Sequence, residues 1–183
     1  MRGRATYRGS VTPTIVFVQG DITRERVDAI VNAANAAMRP GGGVDGAITR
    51  AAGAVAMRDR ERLIAERPAP PLPTGTAVAG AGGDLPARWI IYTAGPIHRG
   101  SPTDADLLAS CHTACLAVAD AIGARSVAFP AISTGVYGYP VEEAAAIAVS
   151  TVARAETAVE EVRFVLFDER AFRAFREAHE RTA

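Results

Sequence analysis

Two amides and a carboxylate stand close together around a run of glycines. The text reads Asn32-Ala33-Ala34-Asn35, then Gly41-Gly42-Gly43-Val44-Asp45-Gly46. Amide side chains can hold hydroxyl groups, and a carboxylate can orient or deprotonate a water. Successive glycines let the backbone approach a ligand and present consecutive N–H groups, and a helix starting just beyond them adds a positive dipole, which suits phosphate. A second segment, Ser133-Thr134-Gly135-Val136-Tyr137-Gly138-Tyr139-Pro140, offers hydroxyls, glycines and another helix start. Tyr137 there could stack on a sugar or base. A third, Gln19-Gly20-Asp21-Ile22-Thr23, places a carboxylate where it could accept from an exocyclic amine such as adenine's. Each segment also has an ordinary reading: Asp21 as a turn cap, the Gly41–Gly46 run as a flexible surface loop with Asp45 as a helix cap, and Ser133–Pro140 as a glycine-rich turn with a partly buried Tyr. The functional reading rests on their combination.

Other chemistries lack their residues. Gly41, Gly43 and Gly46 match GxGxxG, but a dinucleotide fingerprint follows its strand at once and has an acid ending the next strand. Here nine residues separate Val31 from Gly41, and Glu61 and Glu66 lie in an arginine-rich helical stretch. Ser133 is not in a GxSxG elbow, which argues against a serine nucleophile. The chain has 20 basic residues, all arginine, so a Walker A loop and Schiff-base lysine chemistry are excluded. The basic residues balance 20 acidic ones, which argues against a protein held mainly on nucleic acid by phosphate neutralisation. Cys111 and Cys115 lie four apart on one helical face and read as core thiols, with His112 off that face. His98 and His179 are scattered, and no zinc spacing occurs, so no metal or cofactor is expected.

The elements that must position these loops follow from apolar runs. Strands are expected at Thr14–Val18, Ala29–Val31, Thr76–Ala79, Trp89–Thr93, Ser126–Phe129 and Arg163–Phe167. Most are apolar throughout, as in strands buried on both faces. A helix is expected from Val44 to about Glu66, with a break at Gly53. Another starts at Thr103, with Thr103 and Asp106 as a capping box and Leu107, Cys111, Cys115, Val118 and Ile122 as its apolar face, and Gly123 stops it. A third begins with Pro140 as its first residue and acids in its first turn. The last spans Glu169–Glu180. Strands alternating with helices predict a single α/β domain over residues 1–183, with residues 1–12 as a ragged extension and Pro68–Pro73 as a stiff surface connection. The basic N-terminus is followed by no apolar run, and no stretch approaches the ~18 apolar residues of a span. A cytoplasmic protein without a membrane partner is expected, and as a monomer.

In order and in register, the segments resemble the macrodomain family, specifically its MacroD-like hydrolytic branch. The matching text includes Gly20-Asp21-Ile22-Thr23, Val27–Asn35, Gly41–Ile48, Ala51-Ala52-Gly53, Leu85-Pro86-Ala87, Gly95-Pro96 and Phe129–Pro140. The resemblance covers roughly Gln19 to Asp168. It implies a three-layer α/β/α fold around a six-stranded mixed, largely parallel sheet, with an ADP-ribose pocket. On that resemblance Asp21 accepts from the adenine amine, Ile22 offers its N–H, and Phe167 lies along the adenine. Gly41, Gly42, Gly43 and Val44, with Ser133, Thr134, Gly135, Val136 and Tyr137, would wrap the diphosphate. Asn32, Asn35 and Asp45 would surround the distal ribose, with Tyr137 against it.

The branch implies hydrolysis at the distal ribose, releasing mono-ADP-ribose from acidic side chains of proteins or acetate from O-acetyl-ADP-ribose. It requires no metal, cofactor or covalent nucleophile. Asp45 would act as general base on a water and Asn35 would hold the ribose hydroxyls, with either Asp45 or the substrate phosphate taking the proton. Expected partners are ADP-ribose and ADP-ribosylated proteins, with nucleic acid only as an ADP-ribosylated substrate. A non-catalytic ADP-ribose reader is the alternative. The chain departs from the usual pattern at Pro40, at Gly82-Gly83, and at Thr49 and Tyr92, both of which stand where the branch usually has histidine.

Overall fold

The computed structural model describes residue 9 and residues 11–182. The remaining residues, and with them most of the expected ragged stretch, lie outside the described residues. Val11, within that stretch, pairs with Thr157 in an isolated antiparallel bridge. The strands are β1 (Thr14–Gln19), β2 (Ala29–Ala34), β3 (Ala77–Ala81), β4 (Trp89–Ala94), β5 (Ser126–Phe129) and β6 (Glu161–Leu166). They form one sheet in the order β1-β6-β5-β2-β4-β3, parallel throughout except for the antiparallel β3–β4 pair. The helices are α1 (Gly43–Ala65), α2 (Pro102–Ile122), α3 (Val141–Ala153) and α4 (Glu169–Glu180).

The continuous apolar runs are explained by two cores, one on each face of the sheet. Side chains alternate along a strand, so a strand covered on both sides must be apolar at every position. Ala29 and Val31 of β2 enter the core under α2, α3 and α4, while Ile30 enters the core under α1. β5 repeats this, with Val127 and Phe129 on one side and Ala128 on the other. The layers are therefore helix, sheet and helix, as the sequence predicts.

Three local expectations are corrected. Helix α2 starts at Pro102, and its capping box is Ser101 with Asp104, not Thr103 with Asp106: Ser101 Oγ accepts from Thr103 N–H at 3.3 Å and Asp104 Oδ2 accepts from Ser101 N–H at 3.1 Å. Proline at the first helical position fixes that earlier start. Pro140 is the residue before α3 and not its first turn. His112 is not off the core face; the buried face of α2 runs through Leu108, Cys111, His112, Cys115, Leu116 and Ala119. By length and composition α2 is also apolar enough to cross a membrane. Here that stripe packs on the sheet and α3.

Helix α1 kinks at Gly53, where the break was expected: its φ of 72° and ψ of −171° are non-helical. A Cβ at this position would collide with the Asp84 carboxylate. Gly53→Ala is therefore expected to cost about 2 kcal/mol or more of unfolding free energy, combining left-handed strain with a clash. Denaturant titration measures it, and an unchanged midpoint would contradict the account.

His112 gives the fold a pH dependence. Its Nδ1–H donates to the Leu108 carbonyl at 2.9 Å, its ring stacks on Phe129, and its Nε2 has no partner among the described residues. Burial pulls the imidazole down to about 4, the Leu108 bond opposing it weakly. The unfolded chain takes up this proton near pH 6.5, and the native chain only near 4. The contribution of neutral His112 is thus complete above pH 6.5 and shrinks as pH falls towards 4. His112→Leu is expected to remove about 2–3 kcal/mol of the stability difference between pH 7.5 and 4.5. Equal pH slopes for the two proteins would contradict it.

Candidate functional site

A crevice opens where the helices after two adjacent strands leave to opposite faces. β2 feeds α1 on one face and its neighbour β5 feeds α3 on the other. Beyond the carboxyl ends of these strands lies a cleft of about 280 Å³. Asn35, Gly41, Gly42, Gly43, Val44 and Asp45 form one wall, and Ser133, Gly135, Val136 and Tyr137 the other. Ala33, Ala34, Gly95 and Ala131 complete the lining. Two sequence segments about ninety residues apart are thus brought face to face, as the order of β2 and β5 requires.

Both walls present backbone N–H groups. On the first wall, Gly43, Val44 and Asp45 begin α1, where N–H groups have no intrahelical acceptor and the dipole is positive. On the second, the loop's own hydrogen bonds use the N–H groups of Thr134, Gly138 and Tyr139. Those of Gly135, Val136 and Tyr137 have no partner among the described residues. The loop is held from outside as well, because His98 N–H donates to the Tyr137 carbonyl at 2.8 Å and the His98 ring lies 4.6 Å from that of Tyr139. Ser133 sits at φ 66°, a left-handed conformation unusual for serine. Its Oγ is buried without a partner among the described residues. Gly95 allows this approach, since a Cβ there would strike Ser133 Oγ. No base touches that hydroxyl among the described residues, consistent with its not being a triad serine.

Asp45 is only 4% exposed and lies between the cleft and the core under α1. Its Oδ1 accepts from Asn32 Nδ2 at 2.6 Å and from Arg60 Nη1 at 2.9 Å, and its Oδ2 accepts from Gly41 N–H at 2.5 Å. A carboxylate offers about four acceptor sites, so one remains, on Oδ2. Asn32 does not line the cleft: β2 continues three residues past its expected end, and Asn32 stands inside it, fully buried behind Asp45. Asn35 lines the cleft while bridging the Arg39 backbone, Oδ1 accepting at 3.1 Å and Nδ2 donating at 2.7 Å. One amide hydrogen and one lone pair stay available.

Asp21, Ile22, Thr134 and Phe167 stand outside this lining. Asp21 caps the short 3-10 turn Ile22–Arg24, with Oδ1 accepting from Thr23 N–H at 2.9 Å and Thr23 Oγ1 at 2.7 Å. The Thr23 hydroxyl is the main cause that holds its carboxyl below the usual range. Ile22 is buried, and Phe167 is 87% exposed, one residue past the end of β6. Asp21 and Phe167 nevertheless share the carboxyl edge with the cleft, since Gln19 pairs with Leu166 and β6 neighbours β5. Arg60, which sequence reasoning did not single out from its arginine-rich helical stretch, is 1% exposed and pairs with Asp45. Its signal was the stripe Ala56, Arg60, Leu63 beyond the kink, one helical face on which both other members are apolar and buried.

The Macro domain family model matches residues 31–148. A macro domain-containing protein of Streptomyces coelicolor is 56% identical over 161 residues, covering 88% of this chain and 95% of that protein. A protein of Salmonella gallinarum named O-acetyl-ADP-ribose deacetylase is 48% identical over 169 residues, covering 90% of this chain and 93% of that one. The Oceanobacillus iheyensis macrodomain solved with ADP aligns with a TM-score of 0.86 at 41% identity, over 93% of this chain and 92% of that one. The Trypanosoma brucei macrodomain in complex with ADP-ribose aligns with a TM-score of 0.75 at 34% identity, over 89% of this chain and 68% of that one. With its layered fold, its facing loops and these relatives, the chain belongs to the macro domain family.

Proposed function

We propose that this chain binds ADP-ribose and hydrolyses esters at its distal ribose. The substrates are O-acetyl-ADP-ribose and proteins carrying mono-ADP-ribose on acidic side chains. The observation that carries the reading is the buried Asp45 carboxylate, fixed by three hydrogen bonds at the wall of a cleft lined by backbone N–H groups. The Salmonella relative's name, O-acetyl-ADP-ribose deacetylase, supports the same chemistry.

The diphosphate lies between the Gly41–Val44 and Ser133–Tyr137 walls. Their N–H groups and the α1 dipole stabilise it without a lysine, and the Ser133 hydroxyl is an additional donor. The adenine extends along the carboxyl edge towards Asp21, Ile22 and Phe167. The distal ribose lies against Tyr137 and the spare amide hydrogen of Asn35. Asp45 holds a water through the remaining acceptor site of Oδ2 and assists loss of its proton during attack on the ester. The three bonds on Asp45 fix the direction in which it presents that site, so the water is aligned before the reaction.

Asp45→Asn and Asn35→Ala are expected to lower kcat for acetate release by about a hundredfold or more. ADP-ribose affinity by calorimetry is expected to stay within about fivefold, because the diphosphate contacts survive. Normal turnover by both variants would contradict the assignment. Tight ADP-ribose binding with no release by the unaltered chain would make it a reader.

A further inference from the structure

A charge buried behind a catalytic carboxylate needs a reason. Arg60 makes four side-chain hydrogen bonds while 1% exposed. Nη1 donates to Asp45 Oδ1 at 2.9 Å and to Thr49 Oγ1 at 3.2 Å. Nε donates to the Met38 carbonyl at 2.7 Å, and Nη2 to the Arg39 carbonyl at 3.1 Å. Its guanidinium carbon lies 5.1 Å from the centre of the Tyr92 ring, a cation–π distance. Tyr92 is itself buried, which pushes its phenol up to about 12 and keeps it neutral beside the guanidinium.

These contacts reach both groups assigned to the chemistry. One bond fixes Asp45 directly. Another ends on the Arg39 carbonyl, the atom to which Asn35 Nδ2 also donates. A single planar cation therefore ties the start of α1 to the turn that Asn35 caps. Arg60 does not line the cleft, so it acts through those residues. Its two other side-chain partners are Thr49 and Tyr92, the positions at which the resemblance to the family's pattern leads one to expect histidine. Both of these side chains meet one guanidinium.

We infer that Arg60, seated on Tyr92 and Thr49, is a positioning residue that sets the register of Asp45 and Asn35 for the distal ribose. This rests on the hydrolase reading. A lysine could supply the charge but not the planar fork that serves Asp45, Thr49 and two carbonyls together. Tyr92→Leu removes the ring beneath the fork and leaves the ion pair, so a partial effect is expected.

The test compares acetate release, ADP-ribose titration calorimetry and thermal melting for Asp45→Asn, Arg60→Met, Arg60→Lys, Tyr92→Leu and the double variant Arg60→Met with Asp45→Asn. Arg60→Met is expected to lower kcat by about tenfold to a hundredfold, with KM and the ADP-ribose Kd changed by less than about threefold. Arg60→Lys and Tyr92→Leu should fall between it and the unaltered chain. An unchanged kcat in Arg60→Met overturns the inference. So does a loss of kcat matched by an equal loss of ADP-ribose affinity, which would mean that Arg60 shapes the whole pocket. If Arg60→Met shows no cooperative melt, the double variant should regain one, because no uncompensated carboxylate remains, and a double variant that also fails to melt cooperatively overturns the inference. Strictly additive shifts across the singles and the double overturn the coupling. If the unaltered chain binds ADP-ribose but releases no acetate, the hydrolase reading falls, and the melting cycle still decides whether Arg60 and Asp45 are coupled.

Discussion

A carboxylate removed from water must be compensated on every side, and the compensation of Asp45 organises one whole end of this molecule. Its three donors come from different parts of the chain: a strand amide, a loop N–H and a guanidinium from beyond a helix kink. Each donor brings a constraint. Asn32 must stand within β2, facing α1. Gly41 must bend back over the first turn of that helix. Arg60 must arrive from the second half of α1, after Gly53 has reset its direction. Removing one partner from such a buried group typically costs about 3–5 kcal/mol, so the arrangement is held as a unit.

On the proposed reading, a lysine-free chain holds a diphosphate in the cleft beside Asp45. Charge neutralisation by side chains is replaced by backbone N–H groups on two facing walls, one of them at a helix start. The walls meet because β2 and β5 are neighbours whose following helices cover opposite faces. The balanced composition suits this: a small diphosphate in a cleft needs local dipoles, whereas a long polyanion needs a basic surface.

Much of this was legible in the sequence. Runs apolar at every position announced strands covered on both sides, and the two cores bear that out at Ala29, Ile30 and Val31. The glycine loops and Asp45 stood out because few structural needs combine three glycines, an acid and amides in so short a span. What escaped depended on contacts between distant residues. Asn32 reads as a loop residue because polar side chains rarely end a buried strand, yet it is inside β2 with Asp45 as its partner. Arg60 hides in the run Arg58-Asp59-Arg60-Glu61-Arg62, which looks like a solvated helix face. Helical phase from Asp45 to Arg60 cannot be counted across the kink at Gly53, so nothing local says that they meet. The capping box was displaced by two residues because Pro102, not Thr103, opens α2.

The central claim is that Asp45, with three of its acceptor sites occupied, turns the fourth towards the distal ribose. A crystal structure of the chain with ADP-ribose tests this most directly. The account predicts a ribose hydroxyl or an ordered water within about 3 Å of Asp45 Oδ2, with the Asn32, Gly41 and Arg60 bonds intact. Electron density placing the ribose away from Asp45, or Asp45 turned out of its three bonds to meet the ligand, would contradict it.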